Sequence, residues 1–439
     1  MLGRLFDSAR VEMISVRGWA AMATACAFAA VAPMHAVAGA EATGAAHYQV
    51  DAAITQKTGT ISSTVTITLP PKDVPDGTAF FIGDWYEITT LTVGGGITTS
   101  EGRASKPIAH VRKITLHVPH PLEQPVILRI SYHGTLNGPG TDKGEETFTP
   151  GRMELRLEDM WLPVRADFAM RFTVDAHFRG IPHDEVVVSQ GQYRHIGEAL
   201  DLQRDYPDFG LPVVAARGLN ELATPSVQVY AEDLDSRLVK ILSKHAVDAV
   251  TYYEKWFGPI PGGPPVRLVV TGRSGSAYAR RAFISVGASR EELAKNPNYP
   301  DYGPASLVAH EFAHAWWSPA DPLTDNYWLA ESLAEFSSMR YTEQAFGPKI
   351  LELRLKKKRE EAKGAPPILG HGRPTHADLY AKGPLLLFRL QQAIGRQKMD
   401  RVLAILGRNP PHVTADFLMV LGQVAGPTAA EEFHQMLER

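Results

Sequence analysis

The 439-residue sequence predicts a multidomain protein in which an antiparallel β-domain of sandwich or saddle type precedes an α+β domain. Three observations support this fold class. The length allows two or three domains of ordinary size. Between about His47 and Val229, short runs of β-branched residues alternate with Gly, Pro, Asn and Asp. From residue 232 onward, apolar residues recur at intervals of three and four, which indicates helices.

Composition and charge exclude several classes of function. Hydrophobic residues make up 44% of the sequence and charged residues 21%, which excludes a wholly disordered chain and a multi-span membrane protein. The 45 Lys and Arg residues are balanced by 48 Asp and Glu residues, for a formal net charge of −3. Because the chain has no cationic excess with which to neutralise a phosphate backbone, we expect no nucleic acid partner.

The first element, residues 1–40, is predicted to be a cleaved secretory signal peptide. Three arginines precede an apolar, alanine-rich run at residues 18–32, and small residues follow near Ala38 and Ala40. The run is short for a bilayer span, and a membrane anchor is the alternative. The single cysteine, Cys26, lies in this segment, and lipid attachment to it is a further alternative. We therefore predict an exported protein, periplasmic or secreted, with no stable membrane span after cleavage.

The second element, residues 41–230, is predicted to be the β-domain. Its strand-like segments share alternating or clustered β-branched residues and are separated by turn-forming residues. They are Thr58–Leu69, Ile114–Val118, Val126–Tyr132, Met170–Phe178 and Glu185–Ser189. Short strands at this spacing, with little helical periodicity, predict a sandwich or saddle.

The third element, residues 231–439, is predicted to be the α+β domain. A helical pattern runs from Asp233 to Phe257 and ends at a Gly-Pro pair. Two strand-like runs follow, and the sequence is mostly helical after residue 304. A run of charges at residues 356–361 is predicted to be the solvated face of one of these helices.

Within this domain, His310, Glu311 and His314 form the pattern His-Glu-x-x-His. Residues four apart lie on one face of a helix, so both imidazoles can reach a single ion. Zn²⁺ accepts such nitrogen ligands at about 2.0–2.1 Å and keeps one position for water. Glu311 lies roughly 100° around the helix from His310, so it can reach that water rather than the ion. A chance occurrence is the alternative, but these polar groups among apolar neighbours are costly without an ion.

A second helix is predicted to supply the third metal ligand. Glu331 and Glu335 are four residues apart and share a helix face. We predict that Glu331 binds the ion and that Glu335 hydrogen bonds a ligand histidine and orients its ring. Asp321 and Asp325, in the Pro-rich connector, are alternative third ligands. A solvated surface position is the alternative for Glu335.

The segment His310-Glu-Phe-Ala-His-Ala-Trp, followed by Trp328-Leu-Ala-Glu-Ser-Leu-Ala-Glu, resembles the M1 family of zinc metallopeptidases. These are gluzincins, and they include aminopeptidase N and leukotriene A4 hydrolase. The resemblance implies a β-rich N-terminal domain, a thermolysin-like catalytic domain, one zinc ion and peptide or protein substrates.

Two further segments carry the same resemblance. Trp161-Leu-Pro163 with Asp167 is similar to a motif of the family's N-terminal domain, and Tyr380-Ala-Lys-Gly is similar to the family's Tyr-x-Lys-Gly signature. By this match, the resemblance implies that Tyr380 stabilises the tetrahedral intermediate. A tyrosine at the start of a helix is otherwise usually a packing residue.

The sequence departs from the family pattern at three places. Sixteen residues separate His314 from Glu331, a shorter connector than the family normally has. The segment that aligns with the family's exopeptidase motif has Ala279 where the family has a glutamate that holds the substrate's free amine, and Arg280 and Arg281 follow it. The part of the chain beyond the second helix is too short for the large helical C-terminal domain of full-length members, so we predict a short form with a more open cleft.

Arg280 and Arg281 are predicted substrate-binding residues. They repel an ammonium group and attract an acidic side chain or a C-terminal carboxylate, although two surface cations are the alternative. We predict an exported zinc metallopeptidase with Glu311 as general base and a specificity that is altered or endopeptidase-like. The alternatives are a catalytically weak zinc-containing peptide-binding protein of peptidase ancestry and a hydrolase of a non-peptide substrate such as an epoxide. The sequence predicts no oligomeric state.

Overall fold

A computed structural model describes residues 44–104, 110–139, 146–261, 263, 265–273, 277–287, 300–317 and 320–439. The predicted signal peptide, including Cys26, lies outside the described residues. No helix within the described ranges is long and apolar enough to cross a membrane.

The first half of the described chain is built from strands, and the second half is mostly helical. The strands are β1 Ala46–Thr55, β2 Thr60–Leu69, β3 Ala79–Gly83, β4 Glu87–Val93, β5 Thr98–Arg103, β6 Val111–His117, β7 Val126–Thr135, β8 Phe148–Thr149, β9 Arg152–Leu155, β10 Val164–Arg165, β11 Phe172–Arg179, β12 Glu185–Ser189, β13 Gln192–Ile196, β14 Ala199–Asp208, β15 Val213–Arg217, β16 Asn220–Ala223, β17 Val227–Ala231, β18 Val266–Thr271, β19 Tyr278–Arg280 and β20 Phe283–Gly287. The helices are α1 Arg237–Phe257, α2 Tyr302–Ala313, α3 Trp328–Phe346, α4 Pro348–Glu361, α5 Gly383–Ile394, α6 Arg396–Arg408, α7 Thr414–Ala425 and α8 Pro427–Leu437.

Strands β1–β15 form three sheets. Their orders are β13-β14-β11-β1-β2-β7-β4, β10-β3-β6-β5 and β12-β15-β9-β8. Buried and partly exposed residues alternate along β2, as expected when one face of a sheet packs on the core. The predicted β-rich N-terminal part is confirmed. It departs from a purely antiparallel arrangement at β1 and β11, which pair in parallel because a long connection returns the chain to the same end of the sheet.

A fourth sheet, of order β16-β17-β18-β20-β19, begins the second part of the molecule. Strands β17, β18 and β20 are parallel, and β19 is an antiparallel edge strand. The domain boundary predicted at residue 230 falls within β17. This strand pairs in parallel with β18, which follows helix α1 in the sequence. The domain boundaries stay predictions.

Helix α1 forms where the apolar period predicts it. The Ser236 side chain accepts a hydrogen bond from Val239 N at 3.2 Å and caps the helix, and Gly258 ends it with a φ of 89°. Its buried face includes Leu242, Tyr253 and Phe257, which belong to a core shared with the later helices. The helix therefore supports the elements that carry the candidate site.

A buried carboxylate joins the third sheet to the fourth. Glu154 on β9 is fully buried and accepts hydrogen bonds from Thr271 Oγ1 and Arg273 Nε at 3.2 Å and from Ser285 Oγ at 2.6 Å. A buried charge with these partners is satisfied only when the two sheets are in register. This contact positions the edge strand β19 beside the helices of the site.

Candidate active site

Helix α2 carries the first two predicted metal ligands. His310 lies in its last turn, and His314 follows as the C-terminal cap with helical backbone angles. Pro304 is the third helical residue, which costs no hydrogen bond because the N–H groups of the first turn have no partners within the helix. The Tyr253 hydroxyl donates to Ala309 O at 2.9 Å and holds this helix against α1.

Helix α3 packs against α2 through small side chains that allow a close approach. Ser338 Oγ donates to Ser306 O at 2.8 Å, and Trp317 Nε1 donates to Ser337 Oγ at 3.0 Å. This packing brings Glu331, in the first turn of α3, to the two histidines.

The three predicted ligands converge. Glu331 Oε2 lies 3.3 Å from His310 Nε2 and 3.5 Å from His314 Nε2. Within the described ranges, these residues form the one group of three or more His, Cys, Asp or Glu side chains whose ligand atoms all lie within 4.8 Å of one another. The alternative ligands are engaged elsewhere: Asp325 Oδ2 accepts from Gly370 N, and Asp321 Oδ1 accepts from Leu323 N.

The donor atoms fit a tetrahedral ion. Bonds of about 2.0–2.1 Å at tetrahedral angles place neighbouring donors about 3.3–3.4 Å apart, which matches the separations at Glu331. Glu331 Oε2 is also buried and receives no hydrogen bond of good geometry from the described residues. A buried carboxylate oxygen in that state is stabilised by a cation.

Glu335 fixes the tautomer of His310. Its Oε2 lies 3.1 Å from His310 Nδ1, and a carboxylate can only accept, so Nδ1 carries the hydrogen. The Nε2 atom of the neutral ring is then an acceptor that faces a second acceptor, Glu331 Oε2. Two acceptors at 3.3 Å need a proton or a cation between them. Burial lowers the pKa of His310, but the adjacent carboxylates of Glu331 and Glu335 raise it to about 10.

Glu335 is itself buried between two cations of helix α4. Arg354 Nη2 and Lys358 Nζ lie 3.0 Å and 2.8 Å from Glu335 Oε1. Burial opposes ionisation, but Arg354, His310 and Lys358 together hold the pKa of Glu335 well below its usual range. Glu335 is therefore not a solvated surface residue. Lys358 departs from the solvated face predicted for residues 356–361, since only 14% of its side chain is exposed.

Glu311 lies in the same cavity as the three ligands but outside the ligand group. Burial raises its pKa above the usual value, while the neighbouring His310 and His314 oppose the rise. A buried carboxylate with a raised pKa is a better proton acceptor than one in water.

Tyr380 reaches the site from a single π-helical turn, Asp378–Lys382. Ser332 Oγ donates to Leu379 O at 2.7 Å and holds this turn against α3. A Cβ on Gly383 would lie 2.0 Å from Ser332 Oγ, so glycine is required at this contact. The Tyr380 ring stacks on His310 with centroids 5.6 Å apart. Burial and the nearby Glu331 carboxylate raise the pKa of its hydroxyl, so it stays protonated.

A second tyrosine at the site was not predicted from the sequence. The Tyr327 hydroxyl donates to Glu331 Oε1 at 2.6 Å, which leaves Oε2 facing the histidines. The spacing of Tyr327 and Glu331 could have identified this contact, since the two residues are one helical turn apart.

The two predicted substrate-binding arginines occupy different environments. Arg280 lines the cavity beside the metal ligands, and its Nη2 donates to Glu158 Oε1 at 3.0 Å. Arg281 packs over the Tyr206 ring at 4.5 Å and lies outside the described lining of the cavity. The geometry therefore brings only Arg280 to the site.

The cavity has a volume of about 220 Å³ and draws its walls from both halves of the chain. The β-rich half contributes Glu158, Phe168, Arg171 and Phe209, of which the sequence predicted none. Phe168 is held by the loop of the Trp161 motif, where Asp167 Oδ1 accepts from Ala169 N at 3.0 Å. The remaining walls come from strand β19, helices α2 and α3, the connector between these helices and the turn that carries Tyr380.

The fold is similar to that of solved M1 zinc metallopeptidases. Native yeast leukotriene A4 hydrolase matches with a TM-score of 0.68 and 13% identity, over 90% of this chain and 67% of its own. The M1 zinc metallopeptidase of Deinococcus radiodurans matches with a TM-score of 0.63 and 16% identity, over 89% of this chain and 93% of its own. A mutant of the Deinococcus protein bound to a Tyr-Ser-Ala substrate gives a TM-score of 0.62.

The chain thus spans about two thirds of the length of the yeast hydrolase and nearly all of the Deinococcus peptidase. No protein-family model matches the sequence, and no curated protein does. At these identities the likeness shows the fold, and the predicted M1-type fold is confirmed.

Proposed function

From the premise of an M1-type fold around three convergent ligands, we propose that this protein is a zinc metallopeptidase that hydrolyses peptide bonds. The observation that carries the proposal is the cluster of His310, His314 and Glu331 beside the buried carboxylate of Glu311. The M1 zinc metallopeptidases of similar fold support both the metal and the reaction class.

His310, His314 and Glu331 would hold one zinc ion, with Glu335 orienting the His310 ring. When bound, the ion would lower the pKa of a water molecule towards 7 and polarise the scissile carbonyl. Two imidazoles and one carboxylate, with one coordination position left open, are a ligand set of catalytic zinc sites.

Glu311 acts as the general base. Its carboxylate takes the proton of the attacking water and then delivers it to the nitrogen of the leaving amine. The Tyr380 hydroxyl donates a hydrogen bond to the oxygen that becomes negative as the carbonyl is attacked. Tyr327 holds Glu331 Oε1, so the carboxylate keeps one orientation through the reaction.

We propose that the specificity departs from that of typical M1 aminopeptidases. Ala279 lines the cavity, and on the adjoining wall the carboxylate of Glu158 is already paired with Arg280, with Arg171 as a second cation. A substrate ammonium at this wall meets a like charge, so peptides without a free N-terminal amine are accepted at least as well as free ones.

We also propose that the protein is exported, on the strength of its predicted signal peptide. Expression in a bacterial host followed by N-terminal sequencing of the periplasmic and secreted fractions tests this. A start near residue 39 or 41 supports export, whereas an intact N-terminus in the cell fraction contradicts it.

The decisive experiment compares wild type with Glu311→Gln on a library of N-acetylated, internally quenched peptides. We expect one zinc per chain in both proteins and a fall in kcat of about 10²–10⁴-fold in the variant. Glu352→Gln, on the exposed face of α4, is the matched control. Zinc in both proteins with turnover in neither would instead support the peptide-binding alternative.

A further inference from the structure

We infer that one wall of the cavity is a carboxylate-binding subsite formed by Arg280 and Arg171. The preferred substrates then present an acidic side chain or a C-terminal carboxylate at this wall. The inference rests on the proposed peptidase function and names its substrate class.

Arg280 is held in place before any substrate arrives. It ends the edge strand β19, and only 5% of its side chain is exposed although it lines the cavity. Its guanidinium lies 4.4 Å from the centroid of the Phe209 ring and 5.1 Å from that of Tyr278, and Nη1 donates to Ala279 O at 2.8 Å. A planar fork that is already ordered loses little entropy when it binds a carboxylate.

The guanidinium of Arg171 also lies 4.4 Å from the centroid of the Phe209 ring. Two hydrogen bonds hold the backbone next to this ring. Asp208 Oδ1 accepts from Phe209 N at 2.8 Å, and the buried Arg204 donates to Gly210 O at 2.8 Å. Arg171 and Arg280 both line the cavity, so both contribute positive charge to an anionic group bound there.

The net charge of the lining residues decides whether the cavity favours an anionic or a cationic ligand group. Glu311 and Glu331 balance the two positive charges that a zinc ion brings. The remaining lining charges are those of Arg171, Arg280 and Glu158, which sum to one positive charge. That excess attracts a carboxylate and repels an ammonium.

Glu158 is the counter-ion that the substrate replaces. Its side chain is 52% exposed, whereas that of its partner Arg280 is 5% exposed. The carboxylate of Glu158 can therefore turn into water, and a substrate carboxylate can take its place beside Arg280. Arg280 cannot follow it into solvent and keeps its need for an anion.

The test uses the full-length zinc-loaded protein and pairs of N-acetylated quenched peptides. In one set, Asp or Glu at each position is compared with Asn or Gln. In the other, a C-terminal acid is compared with the C-terminal amide. We expect wild type to favour the carboxylate member of at least one pair by about tenfold in kcat/KM. The set in which the preference appears identifies which carboxylate is bound.

Variants move that preference in opposite directions. Arg280→Gln should bring the acid-to-amide ratio of kcat/KM close to one, and Arg280→Lys should restore part of it. Glu158→Gln should raise the ratio by lowering KM for the acid. Arg194→Gln, at a position whose side chain is 72% exposed on the β-rich half, is the control and should leave the ratio at the wild-type value.

A wild-type ratio near one in every pair would overturn the inference, and so would an unchanged ratio in folded Arg280→Gln. A binding assay separates this failure from failure of the proposed function. Fluorescence polarisation with labelled acid and amide peptides on zinc-loaded Glu311→Gln reports the preference without turnover. Tighter binding of the acid supports the subsite even if no peptide is cleaved, and equal binding rejects it.

Discussion

Replacing Glu335 with Gln tests how helix α4 tunes the metal centre. The carboxylate accepts a hydrogen bond from His310 Nδ1 at 3.1 Å and contacts Arg354 at 3.0 Å and Lys358 at 2.8 Å. The amide oxygen of Gln can still accept the histidine N–H, so the tautomer is kept. The negative charge is lost, and two largely buried cations then face each other without the carboxylate between them.

Two effects of known size follow. Removing one partner of a buried ion pair costs about 3–5 kcal/mol of stability. Because 9–14% of the Glu335, Arg354 and Lys358 side chains stays exposed, we expect about 3 kcal/mol in the free energy of unfolding. Loss of an outer partner of a metal-binding histidine weakens metal affinity by about 10–100-fold. This corresponds to about 1.4–2.7 kcal/mol.

The assays measure the two effects separately. Urea unfolding of the metal-free protein gives the stability, and competition with a chromophoric chelator gives the zinc affinity of the folded protein. Glu361→Gln is the matched control, because Glu361 contacts the same Lys358 at 3.7 Å but lies away from His310. Adding Lys358→Met to Glu335→Gln should recover stability while zinc affinity stays weak. A folded Glu335→Gln protein with zinc affinity within twofold of wild type would refute the proposed role of the carboxylate.

Three further outcomes are expected. Tyr380→Phe should lower kcat by about 10²–10³-fold at unchanged zinc content, and a change in KM alone would contradict its role at the oxyanion. Gly383→Ala places a Cβ 2.0 Å from Ser332 Oγ, so urea unfolding should show a loss of about 1–3 kcal/mol, partly recovered by adding Ser332→Gly. Burial raises the pKa of Glu185 to about 7, so its contribution to stability is present below pH 4.5 and is lost as the pH rises through 7. That loss amounts to up to about 3 kcal/mol. The wild-type urea midpoint should therefore fall across this range relative to that of Glu185→Gln, and parallel pH profiles would contradict the shift.

The sequence identified the site residues that lie close to one another along the chain. His310 and His314 are one helical turn apart, as are Glu331 and Glu335, so the helical period alone places each pair on one face. The alternation of apolar residues likewise predicted the β-rich half. The parallel pairing of β1 with β11 escaped prediction because a strand's pattern does not reveal its neighbours.

The outer cavity wall shows the limit of such reasoning. Glu158, Arg171 and Phe209 come from three separate segments of the β-rich half, and each is unremarkable in its own segment. Arg171 and Phe209 meet because β11 pairs with β14, with Phe172 opposite Asp208. Arg280 and Arg281 are adjacent in sequence, yet packing sends one into the cavity and the other onto Tyr206.

By itself, the sequence determined the chemistry available to this protein: two imidazoles at helical spacing, one pair of carboxylates at helical spacing and Glu311, all in the helical half that follows the β-rich half. Only the tertiary structure decided which charges balance one another. It buried Glu335 between Arg354 and Lys358 and left Glu158 half in water beside Arg280. The reason is that helical spacing is a property of neighbouring residues, whereas burial and electrostatic pairing depend on segments that only folding brings together.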